Sequence, residues 1–278
     1  MFFKTMRISL LLVFCVSLFI SSCSQYQQVY RGEDMAAKYA FADSLYKIGK
    51  YKKSLKLMEQ IVPAYRGKPQ AERLNFMYAN TFYNLEDFVL AGYQFERFGI
   101  SYPKSDSIEV ASYKSAKSYY ELSPRYSLDQ KDTYTGLTKL QDFINKYPNS
   151  EYRLEANKLV TELREKLEKK DFEVAKQNLK IAKHIGSYGP AIESFDNFIT
   201  DHPGSIYRKD AFYLRFEAAY LRAINSLPLL VDERLITAKG YYNNFVKYYK
   251  DTELKADADK ILEDIESRLS KNETTSLN

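Results

Sequence analysis

The chain has 278 residues, 45% of them hydrophobic and 28% charged, with a formal net charge of +5. That balance excludes a disordered polymer, and so weak a charge without a clustered basic stripe excludes a nucleic-acid footprint. Tyr 25 and Phe 17 against no Trp is a skewed aromatic usage, and Tyr suits places that are apolar on one side and wet on the other.

Residues 1–22 read as a leader rather than as part of a fold. Lys4 and Arg7 form a basic region, and Ile8 to Ile20 is an apolar run interrupted by Ser9, Cys15 and Ser17. It is too short for a spanning helix and fits a secretory signal. The following Ile20-Ser21-Ser22-Cys23 resembles a bacterial lipobox, in which the cysteine becomes the lipidated N-terminus. The alternative is an ordinary signal with a chance cysteine. Acylation of Cys23 and removal of Cys15 leave no disulfide within the mature chain. Ser24 is not the aspartate that retains many lipoproteins at the inner membrane, so the resemblance implies outer-membrane attachment with a periplasmic body. Residues 23–32 are expected to be a poorly ordered lipidated linker.

From Met35 onward the pattern is helical and repetitive. Tyr39, Phe41, Ala42, Leu45 and Tyr46 mark one amphipathic segment, Met35 to Lys47, closed by Gly49. Tyr51 to Tyr65 answers it with Leu55, Met58, Ile61 and Val62, and Leu74 to Tyr83 with Phe88 to Tyr102 forms a second hairpin. Ala42, Ala79 and Ala116 are successively 37 residues apart, as are Ser54 and Ala91. Small residues at fixed intervals are needed where paired helices approach closely.

The units are punctuated by Phe98-Gly-Ile-Ser-Tyr-Pro-Lys-Ser105, Phe143-Ile-Asn-Lys-Tyr-Pro-Asn-Ser150, Phe198-Ile-Thr-Asp-His-Pro-Gly-Ser205 and Phe245-Val-Lys-Tyr-Tyr-Lys-Asp-Thr252. A degraded copy lies at Ile61 to Lys68. The bulky residue and the aromatic, four apart, share one helix face. Pro stops the helix, and the hydroxyl is expected to cap the next one.

The closing aromatics Tyr65, Tyr102, Tyr147, His202 and Tyr249 are spaced 37, 45, 55 and 47. Insertions are expected at Pro124 to Lys131 and at Ser226 to Asp232. Glu151 to His184 contains neither Pro nor Gly, which predicts one helix of about 50 Å as a spine, or a pair kinked near Lys169 to Asp171. Leu154, Leu159, Leu163, Leu167, Val174, Leu179 and Ile181 carry its apolar spacing, and Gly186-Ser-Tyr188 copies the turn Gly49-Lys-Tyr51.

The pattern resembles the tetratricopeptide repeat, which implies an all-α solenoid of about five helical hairpins. Residues 33–122 hold two repeats and the first helix of the third. Residues 123–184 hold the rest of that repeat and the long helix, 185–269 the last two repeats, and 270–278 a disordered tail.

Nothing in the sequence points to chemistry. His184 and His202 are the only histidines, His202 occupies the Tyr slot, and a zinc site needs about four ligands. No phosphate-cradling glycine loop or nucleophile turn occurs, and no cofactor is implied. Binding remains. The first helix of each repeat is expected to line a concave face with Tyr39, Asp43 and Tyr46, then Arg73, Phe76, Asn80 and Tyr83, then Val110, Tyr113, Lys117 and Tyr120. Rings supply area and polar groups direction for gripping an extended peptide, or the tyrosines simply pack between helices.

Together the lipobox ending in Cys23, five repeats, Phe143 through Tyr152 into Leu163-Arg-Glu-Lys-Leu167, Phe172-Glu-Val-Ala175 and Gly186-Ser-Tyr188 resemble the BamD family. The resemblance spans roughly residues 23 to 265. It implies an outer-membrane lipoprotein of the β-barrel assembly machinery. Its N-terminal repeats would receive unfolded barrel precursors, and its C-terminal repeats would dock the POTRA region of BamA. The family docks through basic side chains where this chain has Glu193 and Ser194. Arg208, Arg215 and Arg222, seven apart, are the substitute stripe, or else a solvated face. A tetratricopeptide scaffold of another envelope complex and a glycan-uptake lipoprotein are the alternatives, although the latter normally carries a large insertion domain.

Overall fold

A computed structural model describes residues 25–276, with side chains through residue 271. Cys23 and the leader lie outside the described residues. Every regular element among those described is helical: α1 (25–31), α2 (Met35–Lys47), α3 (Tyr51–Ile61), α4 (Ala71–Asn84), α5 (Phe88–Ser101), α6 (Ile108–Glu121), α7 (Lys131–Lys146), α8 (Arg153–Ile185), α9 (Gly189–Asp201), α10 (Arg208–Ile224), α11 (Pro228–Tyr249) and α12 (Lys255–Ser276). Pro63 ends α3 and opens a 3-10 turn, Pro63–Tyr65. The chain forms two compact units. One holds the residues up to Ser123 and Lys131–Val160; the other holds Pro124–Gln130 and Thr161 onward.

The repeated punctuation builds the same joint each time. Phe98, Phe143, Phe198 and Phe245 are buried, each with its ring against the aromatic one turn later, at centroid distances of 5.2, 5.5, 4.9 and 6.2 Å. The hydroxyl acts differently from the expected cap. Ser105, Ser150 and Ser205 accept from the N–H two residues on, at 3.0, 3.1 and 3.2 Å. Their carbonyls take the N–H groups of Ile108, Arg153 and Arg208, which open the next helices. The serine thus shapes a turn three residues ahead of the helix instead of capping it.

Ala42, Ala79, Ala116, Ser54 and Ala91 are all buried. Ser54 donates to the Ala42 carbonyl at 2.7 Å, so α2 and α3 approach to backbone contact. Gly49 and Gly186 stand at φ +73° and +75°, the left-handed conformation that favours glycine. Glu86, 37 residues after Gly49, adopts φ 59° in the equivalent turn.

Four expectations are corrected. Residues 25–31 are helix, not linker, because Tyr26, Val29 and Tyr30 pack into the core of Leu45, Leu57, Met58 and Ile61. Pro228 to Asp232 is helix too: proline is tolerated in a first turn, and the extra residues lengthen α10 and α11 instead of looping out. Helix α12 runs to Ser276, past Leu269, on a stretch free of Gly and Pro. Helix α8 is unbroken over 33 residues, yet its buried stripe is Ala156, Leu159, Val160, Leu163, Phe172, Ala175, Leu179 and Ala182, while Leu154, Val174 and Ile181 are exposed.

The loop at Pro124 forms as expected and is held from within the second unit. Gln130 is buried and donates to the Arg125 and Leu128 carbonyls at 3.0 and 2.9 Å. Lys170 on α8 reaches the Leu128 carbonyl at 2.5 Å, and Lys169 lies over the Tyr126 ring.

Candidate partner-binding surfaces

Helices α2, α4, α6 and the start of α8 bring the predicted face residues together as a ladder within the first unit. Asp43 accepts from Arg73 at 2.6 Å and pairs with Lys47 at 2.7 Å. Burial pushes the Asp43 carboxyl up, but the hydrogen bonds from Lys47 and Arg73 outweigh it and hold it below the ordinary value. Asn80, buried, donates to the Tyr46 hydroxyl and accepts from Lys114. Lys117 pairs with Glu155 at 2.6 Å. Tyr113 is stacked on Tyr152 at 4.5 Å.

Other members face the core. Phe76 meets Phe95 and Phe98 edge-on, Tyr83 does the same with Phe88 and Phe95, and Tyr39 stacks on Tyr65. Tyr120 is half-buried.

Lys114, Tyr152 and Glu155 were not on the predicted face, though a signal existed. Tyr46, Asn80 and Lys114 are 34 residues apart, the 37-residue spacing less about one helical turn. Neighbouring first helices therefore bond with a stagger of one turn.

Burial is the first cause raising the hydroxyls of Tyr46, Tyr83 and Tyr113 above the ordinary 10.0, with Glu155 adding at Tyr113. A raised folded-state value means that the fold favours the neutral phenol. That stabilisation is complete below the unfolded value and is lost as pH rises through the folded one. Stability should fall steeply above about pH 10, read as a falling urea midpoint of the helical dichroism. A midpoint that stays level above that pH would refute this.

The three predicted docking arginines, all on α10, diverge. Arg208 lies over Phe212 and Tyr248. Arg215 is 7% exposed, donates to Asp196 at 2.5 Å and stacks between Phe212 and Tyr241 at 4.9 and 4.3 Å. It is an internal strut, because three neighbouring groups draw it inward. Arg222 alone is exposed, beside a cavity of about 190 Å³ lined by Ile192, Leu230 and Tyr241. Among the described residues no three His, Cys, Asp or Glu side chains form a metal-binding group, and no helix is long and apolar enough to cross a membrane.

Proteins named outer membrane protein assembly factor BamD are similar in three bacteria. The Caulobacter vibrioides protein is 28% identical over 45% of this chain, the Helicobacter pylori protein 29% over 24%, and the Rickettsia prowazekii protein 24% over 61%. These matches span 40%, 31% and 66% of the relatives' own lengths, under two thirds of each. The family model described as YfiO, outer membrane lipoprotein, matches residues 31–188, which take in both the ladder and the long helix α8. The chain belongs to the YfiO family of outer membrane lipoproteins.

Proposed function

We propose that this chain is a lipid-anchored, non-enzymatic component of the β-barrel assembly machinery, which holds unfolded outer-membrane precursors and docks a BamA-like partner. The family match over residues 31–188 carries the reading, and the relatives named as BamD support it. The ladder supports the precursor role. Tyr46, half-buried, is held in place by its hydrogen bond from Asn80, so little freedom is lost when an extended segment lies across it, while Tyr113 is buried beneath the ladder. Arg73, exposed at one end of the ladder, supplies a charged contact. Arg222 is the side chain on the second unit that suits partner docking.

Photo-crosslinking residues placed at Arg73 and Arg222 in cells test the two roles separately. Adducts with barrel precursors are expected from position 73 and adducts with a BamA-like protein from position 222. Recovery of a different envelope complex at both would overturn the proposal.

A further inference from the structure

We propose that the α1–α3 end of the first unit is a membrane-apposed surface that binds anionic lipid headgroups. Against the expectation of no clustered basic stripe, four lysines fall within residues 50–56. Lys50 precedes α3 and Lys52, Lys53 and Lys56 lie on it, all four exposed. On a helix of 100° per residue, Lys52, Lys53 and Lys56 fall within an arc of about 100°, opposite the buried Ser54, Leu57, Met58 and Ile61. Glu59 is the one acid at the edge of this arc. Lys50, Lys52, Lys53 and Lys56 make no ion pair among the described residues, unlike Lys47 with Asp43 or Lys117 with Glu155. Ile48, 64% exposed, sits in the turn between Lys47 and Lys50. An apolar side chain among unpaired lysines is the composition of a surface that meets headgroups.

Chain continuity selects a membrane over an acidic protein as the occupant. Cys23 lies two residues before residue 25, where the described helix begins, and two residues span at most about 7 Å. Helix α1 is docked on α3: the Tyr26 hydroxyl donates to the Lys53 carbonyl at 3.4 Å, and the Lys53 ammonium lies 5.2 Å above the Tyr26 ring. An acyl chain on Cys23 therefore draws the lysine face, and not merely a tether, to the bilayer. This step rests on the lipoprotein reading of Cys23; the charge of the face does not.

The test uses the mature chain from residue 23 with Cys23→Ser, so that no acyl chain contributes. It is mixed with vesicles of phosphatidylethanolamine and phosphatidylglycerol, and separately with phosphatidylcholine vesicles. Binding is expected to the first only and to weaken with added salt. Changing Lys50, Lys52 and Lys56 together to Gln should weaken it on the order of 100-fold without changing the thermal midpoint. No binding to anionic vesicles, equal binding to both, or indifference to the triple change would overturn the proposal. Acyl labelling of the unmutated precursor tests the anchor by itself. Labelling at Cys23 without vesicle binding would leave the anchor standing and remove the lysine face.

Discussion

Phe143→Ala is expected to destabilise the first unit by about 3–5 kcal/mol. Phe143 is 1% exposed and its ring lies 5.4 Å from Tyr113 and 5.5 Å from Tyr147. Truncation leaves a void where α7 meets α6, and the Tyr113–Tyr152 stack loses its floor. Tyr147→Ala removes the outer ring of the same joint, whose site is already half solvated, and should cost about 1 kcal/mol. Urea midpoints of the two variants, at unchanged slope, decide it. Equal costs would mean that the joint is held by its turn and not by its buried ring.

Arg215→Ala should cost about 2–3 kcal/mol, from two largely desolvated ring contacts and the packing of a long side chain. Asp196 is 40% exposed, so water takes over much of its lost partner and the cost stays below that of breaking a fully buried pair. Arg222→Ala should leave the thermal midpoint unchanged. The pair separates structure from docking. If Arg215→Ala proves as harmless as Arg222→Ala, the inward strut is misassigned; if Arg222→Glu leaves partner capture intact, that side chain has no part in docking.

What could be read beforehand depended on how local the deciding physics is. Phe four residues before Tyr or His, followed by Pro, is a local steric instruction, and the joints appear where it occurs. Gly49 and Gly186 likewise adopt the conformation their positions imply. The role of Ser105, Ser150 and Ser205 was misjudged because a hydroxyl near a helix start reads the same as a cap or as the turn before it. Arg215 was misjudged because a seven-residue spacing does not reveal which guanidinium finds a carboxylate and two rings. Helix α1 was missed because Tyr26 acquires its meaning only from Leu57 and Met58, some thirty residues on. The ladder lay between these cases: Asp43, Tyr46, Arg73, Asn80, Tyr113 and Lys117 follow from repeat position, but Lys114 enters through the stagger that pairs Asn80 with both it and Tyr46, a property of helix stacking.

The joint has a consequence for how such a chain can change over evolutionary time. The connections 102–107, 147–152 and 202–207 are all six residues long and bonded alike, whereas the first and last, 62–70 and 250–254, differ in length; inside the hairpins, length varies in the loop at Pro124 or as extra helical turns in α10 and α11. Such a chain can grow by lengthening its hairpin ends while every stacking contact keeps its register. New recognition elements fit there, whereas a reporter domain inserted between Tyr147 and Ser150 should unfold the first unit, because it breaks the bond from the Ser150 N–H to the Tyr147 carbonyl.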